Sequence, residues 1–341
     1  MTEDLKCLPD DGTGWSYTEL PERARLALER FVPSDDEVDR RLLRFADVQP
    51  REPDNDGDVE ILDGRRFTHR FVQAPGDHEL IKWHYVEAGE GEPIVFLHGI
   101  PDSWFQWYHQ MADLSSEFRC IAVDLKGYGQ SSKVRGDYRH SGAAEQLVAL
   151  LDEIGIDSFN LVTHDRGTVQ GDYIAARYPD RVLRYGRGEQ PLYHFNPVLG
   201  PQDVLFADAP WSGLMADPKR FVIWVYTFVG NLAVPDDDMR RIIQEFCYAD
   251  TNKAVPRYFL SSTFRKEWIE RRTTLMGAWR CPITIMQGAD SRSQPREFYT
   301  DARQYIPNAE RVDVRFVPGG HFWTVESAKE TTDVIREMMS L

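Results

Sequence analysis

The chain has 341 residues and 42% of them are apolar, which is enough for one large domain with an insertion or for two domains. Lys and Arg number 40 against 55 Asp and Glu, and the net charge of −15 argues against nucleic acid or an anionic membrane as the main partner. No apolar run approaches the roughly 20 residues that a membrane span needs.

The cysteines and the N-terminal residues predict the compartment. The four cysteines are far apart, form no metal-type pair and are expected to be free thiols: Cys7, Cys120, Cys247 and Cys281. The first residues lack the basic and then apolar pattern of a signal peptide. We therefore expect a cytoplasmic protein.

Residues 1–66 are predicted to form an N-terminal extension with short helices. One helical pattern follows Pro21, and a second is opened by Ser34 and Glu37, which have the spacing of a capping box. The polar residues 50–58 are typical of a linker.

From residue 67 onward, strand and helix patterns alternate. Apolar or β-branched runs predict strands near 69–73, 81–87, 94–97, 119–125, 159–164, 182–186, 283–287 and 312–317. Helical patterns lie near 103–114, 141–154, 167–178, 295–306 and 325–339. The first two strands have no helix between them and are expected to form a hairpin. The alternation predicts an α/β fold with a mostly parallel eight-stranded sheet flanked by helices, formed by residues 67–189 and 279–341.

Between residues 190 and 278 the alternation stops. This stretch is rich in Trp, Tyr and Phe and has the pattern of several helices. We expect it to be an inserted helical cap, because a cap over the strand ends would exclude water and supply an apolar pocket.

The most informative segment is LVTHDRGT, residues 161–168. An apolar run stops at Asp165, and then Gly167 and a helical pattern follow, which is the layout of a strand–turn–helix elbow. Such an elbow exposes one side chain above the sheet, and here that side chain is a carboxylate. A carboxylate nucleophile attacks carbon and forms an ester, so the segment indicates chemistry on epoxides, alkyl halides and similar electrophiles.

Three further signals accompany the elbow. His98-Gly99-Ile100-Pro101 follows a buried strand, and a backbone N–H after the glycine can point at a developing oxyanion. DLKGYGQSS, residues 124–132, is a strand end with a glycine-punctuated loop. VPGGHFW, residues 317–323, places His321 in a glycine-rich loop after an alternating strand, where a histidine is a natural general base.

These signals, over residues 67–341, resemble the α/β-hydrolase fold family and its epoxide hydrolase and dehalogenase branch. HGIPDSWFQWYHQ and DLKGYGQSS are similar to soluble epoxide hydrolases, and THDRG is similar to fluoroacetate dehalogenases. The resemblance implies Asp165 as nucleophile, His321 as the base that activates water, and oxyanion N–H groups from Ile100 and Arg166. It implies no cofactor and no metal.

The acid that supports His321 stays open between two residues. Glu189 follows the sixth predicted strand, at the position that many haloalkane dehalogenases use. Asp290 follows the seventh, where epoxide hydrolases usually carry this acid, but it stands one residue early and Ser291 occupies the later place. Either acid would orient His321 and stabilise its protonated form.

Several residues are candidates for contact with substrate. Epoxide hydrolases use cap tyrosines as donors to the epoxide oxygen, and the resemblance therefore singles out Tyr193, Tyr226 and Tyr258, each of which could instead be a core residue. Trp104 is expected near the pocket, with core packing as the alternative, and Phe322 is expected there because it adjoins His321.

The remaining histidines and the first helical residue have alternative roles. His98 and His164 are expected to shape their loops rather than to react. The Arg166 guanidinium is expected either to bind a neighbouring acid or to line the pocket.

The sequence departs from the related families at five positions. Haloalkane dehalogenases hold halide with Asn and Trp at the places of Ile100 and Arg166, and fluoroacetate dehalogenases have a second arginine at the place of Val169. Thr163 and Thr168 stand where smaller residues are usual, which predicts a tight turn. The differences at Ile100, Arg166 and Val169 count against the two dehalogenase classes.

We therefore expect an epoxide hydrolase that forms a covalent aspartyl ester and hydrolyses it to a diol. The alternatives are a haloalkane or haloacid dehalogenase with the same two steps, and a non-catalytic ligand-binding protein with this fold. The expected partner is a small-molecule substrate rather than nucleic acid or membrane, and whether the chain forms a homodimer is left open.

Overall fold

A computed structural model of the chain describes residues 32–195, 215–230, 233–262 and 264–340. The helix predicted after Pro21 and the thiol of Cys7 lie outside these ranges. Within them, the remaining cysteines are free thiols, namely Cys120, Cys247 and Cys281. No helix in this part of the chain is long and apolar enough to cross a bilayer.

One sheet of nine strands runs through the described residues. The strands are β1 (Val59–Leu62), β2 (Arg65–Ala74), β3 (Ile81–Ala88), β4 (Pro93–Leu97), β5 (Arg119–Val123), β6 (Phe159–His164), β7 (Val182–Gly188), β8 (Ile283–Gly288) and β9 (Val312–Val317). Their order across the sheet is β1-β2-β3-β5-β4-β6-β7-β8-β9. The pairs β1–β2, β2–β3 and β3–β5 are antiparallel, and the other neighbouring strands are parallel. The mostly parallel α/β sheet is confirmed.

The sheet has one strand more than the eight that the sequence predicts. β1 pairs with β2 through a turn at Asp63 and Gly64, which both have positive φ. Asp-Gly is a strong signal for a two-residue hairpin turn, but β1 has only four residues and lies half-exposed at the sheet edge, so its apolar pattern is weak. The predicted boundary at residue 66 consequently falls inside β2.

Eleven α-helices are present in the described part of the chain. They are α1 (Asp35–Leu43), α2 (Tyr108–Leu114), α3 (His140–Glu153), α4 (Arg166–Arg177), α5 (Pro218–Val229), α6 (Asp236–Phe246), α7 (Thr251–Ala254), α8 (Pro256–Ser261), α9 (Phe264–Glu270), α10 (Trp323–Glu326) and α11 (Ala328–Met339). The short helix Trp104–Trp107 is 3₁₀, and α9 continues into a π-helical turn at Arg271–Leu275.

Helices cover both faces of the sheet. Successive residues of a strand point to opposite faces. The Tyr185 hydroxyl of β7 therefore donates to the Thr168 carbonyl in α4 on one face, at 3.1 Å. The next residue, Gly186, lies against Met338 of α11 on the other.

The helix predicted at 295–306 is wrong. The chain forms two 3₁₀ turns there, Arg296–Phe298 and Ala302–Tyr305. Between them the Thr300 hydroxyl donates to the Glu297 carbonyl, at 3.2 Å. Such local side-chain bonds compete with helical hydrogen bonding.

The N-terminal segment is tied to helices of the predicted cap. Ser34 caps α1 by accepting the N–H of Glu37, as the capping box predicts. Arg220 at the start of α5 pairs with Asp35 at 2.7 Å, and Lys219 donates to the Val48 carbonyl at 2.9 Å. The helices α5 to α9 all lie in the stretch 190–278, and the division into extension, core and cap stays a prediction.

A buried ion cluster joins this helical stretch to the sheet. Asp172 of α4 binds the Arg187 guanidinium of β7 at 3.0 Å, and it also pairs with Arg271 at the end of α9. All three side chains are buried. Removing one partner of such a cluster is costly, because it leaves a buried charge without compensation.

We therefore predict that Asp172→Ala lowers the free energy of unfolding by about 3–5 kcal/mol. Asp333→Ala is the matched control, because it removes an acid from the exposed pair with Lys329 and should cost about 0.5 kcal/mol or less. Urea unfolding followed by circular dichroism measures both. An equally small loss of unfolding free energy in both variants would show that other groups compensate the charges of the buried arginines.

Candidate active site

The carboxyl ends of five parallel strands converge at one edge of the sheet. Leu97 at the end of β4 pairs with Thr163 in β6, and His164 at the end of β6 pairs with Gly188 at the end of β7. β8 continues the row beside β7, and β9 lies beside β8. The loops that follow these strands carry Ile100, Asp165, Glu189, Ser291 and His321.

Asp165, at the elbow, has a backbone conformation that residues other than glycine rarely adopt. Its φ is 47° and its ψ is −118°, directly between β6 and α4. Gly99 permits the approach of the neighbouring loop, because a Cβ on it would lie 2.4 Å from the Asp165 Cβ. Thr163 and Thr168 fit the turn, since their hydroxyls contact each other at 3.0 Å.

The carboxylate of Asp165 lies between three groups. Its Oδ1 accepts the backbone N–H of Ile100 at 3.0 Å. Its Oδ2 accepts the amide of Gln190 at 3.2 Å and lies 3.6 Å from Nε2 of His321. Only 5% of Asp165 is exposed. The two oxygens thus have different surroundings, one on a backbone donor and one facing the imidazole.

His321 is held from its far side. Its Nδ1 lies 3.1 Å from Oε2 of Glu189 and 3.2 Å from the Ser293 hydroxyl. Burial opposes the charged imidazolium, but the hydrogen bond and charge of Glu189, with the charge of Asp165, outweigh it and raise the pKa of His321 above its ordinary value. The ring is therefore oriented with Nε2 toward Asp165 and is a stronger base than a free histidine.

Four donors surround the buried carboxylate of Glu189. Its Oε1 accepts from the Gly288 N–H at 2.8 Å and the Trp323 indole at 3.2 Å, and its Oε2 accepts from the Ser291 hydroxyl at 2.7 Å and from His321. An ionised carboxylate is the one side-chain group that only accepts hydrogen bonds at both oxygens. The site is built for an anion.

Of the two acids that the sequence leaves open, Glu189 is the one that contacts the imidazole. Asp290 is exposed at the start of the loop after β8, and its backbone N–H donates to the Gly319 carbonyl at 3.0 Å. Ser291, one residue later, faces inward and donates to Glu189. Asp290 is thus exposed, whereas the residue at the later place reaches the Glu189 carboxylate.

The Arg166 guanidinium binds a neighbouring acid, which is one of the two roles expected for it. It lies 3.2 Å from Glu267 of α9, with both side chains buried, and stacks on the rings of Phe259 and Phe264. Arg166 is the first residue of α4, and the role of its backbone N–H as an oxyanion donor stays a prediction.

Two of the expected substrate-binding residues have their contacts elsewhere. Trp104 is fully buried against Phe67 and His69, because its 3₁₀ turn directs the ring onto β2 rather than toward Asp165. Tyr193 stacks on Tyr305 with centroids 3.5 Å apart. Its hydroxyl accepts from Arg272 of the π-helical turn at 3.3 Å.

Of the other three expected contact residues, Tyr258 binds the loop after β5, whereas Tyr226 and Phe322 lie beside His321. The Tyr258 hydroxyl donates to the Lys126 carbonyl at 2.8 Å. Tyr226 and Phe322 stack on each other with centroids 3.8 Å apart, and the Phe322 ring meets that of His321 edge-on at 4.9 Å. Tyr226 is thus the predicted tyrosine that packs onto the His321 loop.

His98 and His164 both shape the loops, as expected. His98 Nδ1 bonds the Gly99 carbonyl at 2.8 Å and its Nε2 accepts the Leu125 N–H at 3.0 Å. His164 Nε2 donates to the His321 carbonyl at 2.7 Å. Burial, as the main cause, lowers the pKa of both rings and keeps them neutral.

Sequence reasoning missed three polar residues of the site. Gln190 donates to Asp165, and its only signal was its place beside Glu189. Gln106 accepts the Gly99 N–H at 3.0 Å and donates to His164 at 2.7 Å. Asp102 is buried and accepts the Tyr226 hydroxyl at 2.9 Å. In the described ranges, no cluster of three His, Cys, Asp or Glu could hold a metal.

Comparison with known proteins finds relatives that are named as hydrolases and dehalogenases. The family described as the α/β hydrolase fold matches residues 92–185. The bifunctional epoxide hydrolase 2 of Sus scrofa is 30% identical over 181 residues, which are 49% of this chain and 32% of that protein. A haloalkane dehalogenase of Agrobacterium fabrum is 40% identical over 178 residues, which are 50% of this chain and 59% of that protein. The chain thus spans about a third of the length of the mammalian relative.

The fold itself matches solved structures over most of its length. The epoxide hydrolase VrEH1 of Vigna radiata superposes with a TM-score of 0.64 at 22% identity, covering 80% of this chain and 98% of that one. The sheet order, the elbow and these matches show that the chain has the α/β-hydrolase fold.

We predict that Glu189→Gln lowers the pKa of His321, because the substitution removes the negative charge that stabilises the imidazolium. NMR titration of ¹⁵N-labelled histidine rings measures it, with the resonance assigned from a His321→Gln sample. Asp290→Asn is the matched control and should leave the midpoint unchanged. A similar downward shift in both variants would contradict the assignment of Glu189 as the partner.

Proposed function

We propose that the protein is an epoxide hydrolase that converts an epoxide to a diol through a covalent ester on Asp165. The observation that carries the proposal is the group on the elbow. A carboxylate faces Nε2 of His321 at 3.6 Å, while Glu189 holds the opposite ring nitrogen at 3.1 Å. This is an activated-nucleophile arrangement in which the attacking atom is a carboxylate oxygen.

The first step is attack on a ring carbon. Oδ1 of Asp165 is bound by the Ile100 backbone N–H, and Oδ2, which faces Nε2 of His321, forms the new C–O bond. The ring C–O bond breaks, and its electron pair goes to the ring oxygen, which needs a proton. Tyr226 supports this step best among the predicted cap tyrosines, because it packs onto the His321 loop.

The second step is hydrolysis of the ester. His321 Nε2 takes a proton from water, and the hydroxide adds to the Asp165 carbonyl carbon. Negative charge then develops on Oδ1, where the Ile100 N–H stabilises it, joined by the Arg166 N–H that the family resemblance implies. Collapse expels the product oxygen, which takes the proton from His321, and Glu189 stabilises the transient imidazolium.

A dehalogenase is the second candidate, because a haloalkane dehalogenase is among the relatives at 40% identity. It would use the same ester, but a halide leaves as a stable anion and needs no proton. The two positions that hold halide in that family are Ile100 and Arg166 here, and the Arg166 guanidinium is already paired with Glu267. These contacts favour the epoxide.

We predict that His321→Gln traps the ester. The variant keeps the nucleophile but loses the base, so an aryl or alkyl epoxide should add its full mass to one protein molecule. Intact-mass spectrometry detects the adduct, and peptide mapping should locate it on Asp165. The double variant with Asp165→Asn is the control and should show no adduct.

Alkyl halides are tested in the same variant. An adduct from a halide alone, with halide release and no reaction with any epoxide, would replace the epoxide hydrolase proposal by the dehalogenase. An adduct on a residue other than Asp165 would overturn the nucleophile itself.

A further inference from the structure

Asp102 is a buried acid beside the site that the two-step reaction above does not use. It follows the Gly99 loop, and its backbone N–H donates to the Gly99 carbonyl at 3.0 Å. Only 1% of the residue is exposed. Its Oδ1 accepts the Tyr226 hydroxyl at 2.9 Å, and its Oδ2 is buried with no hydrogen-bond partner among the described residues.

The Asp102–Tyr226 pair is part of the same cluster as the proposed nucleophile and base. Helix α5 touches the His321 loop at two points. The Val229 carbonyl at its end accepts the His321 N–H at 3.2 Å, and the Tyr226 ring stacks on Phe322. The loop that carries Asp102 also carries the N–H of Ile100, which binds Asp165.

The charges around Asp102 come from four elements. Burial is the largest influence and raises the pKa of Asp102 to about 7. The Tyr226 hydrogen bond and the charge of His321 oppose this rise, and the charge of Asp165 adds to it. The buried Tyr128 in the loop after β5 also interacts electrostatically with Asp102. Near neutral pH both protonation states of Asp102 are therefore present.

Tyr226 responds to the same surroundings. Burial first, and then the charge of Asp102, raise the pKa of Tyr226 well above its usual value, with smaller contributions from Glu326 and Asp238. Tyr226 therefore stays a neutral phenol, and the question is where its single hydrogen points. When Asp102 is a carboxylate, that hydrogen is bound to Oδ1. When Asp102 is an acid, it can donate its own proton to the phenol oxygen, and the phenol hydrogen becomes free.

We propose that Asp102 is a positioning residue which, as the neutral acid, donates to the Tyr226 oxygen and so frees the Tyr226 O–H to protonate the oxygen that leaves when Asp165 opens an epoxide. The inference rests on the proposed epoxide hydrolysis. As the ring C–O bond breaks, its electron pair takes the Tyr226 proton, and Tyr226 takes the proton of Asp102, which becomes a carboxylate. Ester hydrolysis later leaves Asp165 as an acid, and the proton that it releases restores Asp102.

The pH dependence of alkylation has a definite sign. The active form is the protonated acid, so the rate at which an epoxide alkylates Asp165 should fall about tenfold for each pH unit above the Asp102 midpoint. Asn at this position keeps an N–H that can donate to the phenol oxygen at every pH. Asp102→Asn should therefore remove the fall at high pH.

The experiment uses the His321→Gln protein, in which the ester accumulates. Rapid-quench mixing with excess epoxide between pH 6 and 10, read by intact mass, gives the alkylation rate. Because His321 lowers the pKa of Asp102, the midpoint should lie higher in this background than in the unaltered protein. The parent should show the fall with pH, and Asp102→Asn should show a flat profile.

Two further variants separate positioning from structure. Tyr226→Phe should slow alkylation by ~10²-fold, because it removes the donor to the leaving oxygen. Adding Asp102→Asn to it should have little further effect, since both act through one hydrogen. Tyr138→Phe is the matched control, because it also deletes a tyrosine hydroxyl of a buried ring, one that binds the Val134 carbonyl at 2.8 Å, and it should keep the parent profile.

The outcomes are distinct. A fall with pH that persists in Asp102→Asn overturns the Asp102 proposal and leaves the epoxide hydrolase proposal standing. If Asp102→Asn slows alkylation equally at every pH, the Asp102 proposal is also overturned, because a structural role predicts that result. Absence of any epoxide adduct in the His321→Gln parent overturns both proposals together.

Discussion

The left-handed turn at Asp165 is the constraint on which the rest of the site depends. A non-glycine residue with φ of 47° and ψ of −118° costs on the order of 1–3 kcal/mol, and it persists only where its surroundings allow no alternative. Here Gly99 lies against the Asp165 side chain, which leaves no space for a Cβ at position 99. The turn sets the carboxylate between the Ile100 N–H and the His321 ring, so the strain of one residue positions both proposed chemical steps.

Three buried carboxyl groups share this small region, and the donors around each distinguish them. Glu189 accepts from four groups, Asp165 accepts from the Ile100 N–H and the Gln190 amide, and Asp102 accepts from Tyr226. The number of donors therefore falls from Glu189 to Asp165 and from Asp165 to Asp102.

The helices of the predicted cap are attached where the chemistry is proposed. The end of α5 binds the His321 loop through the Val229 carbonyl, and the end of α9 binds the core through Arg271 and Asp172. Both attachments are buried and polar, so they specify the position of the helices more narrowly than apolar packing would. Helix α5 is therefore held directly against the loop that carries His321.

Local patterns in the sequence determined eight of the nine strands, the elbow and the places of Asp165 and His321, because buried parallel strands are continuous apolar runs and a strand–turn–helix needs glycine nearby. The tertiary structure alone decided between Glu189 and Asp290. Glu189, after β7, lies 3.1 Å from the imidazole, whereas Asp290, in the turn after β8, is exposed, and both acids follow apolar strands in the sequence. The partnership of Asp102 with Tyr226 joins residues 124 positions apart, and no local pattern carries such a contact.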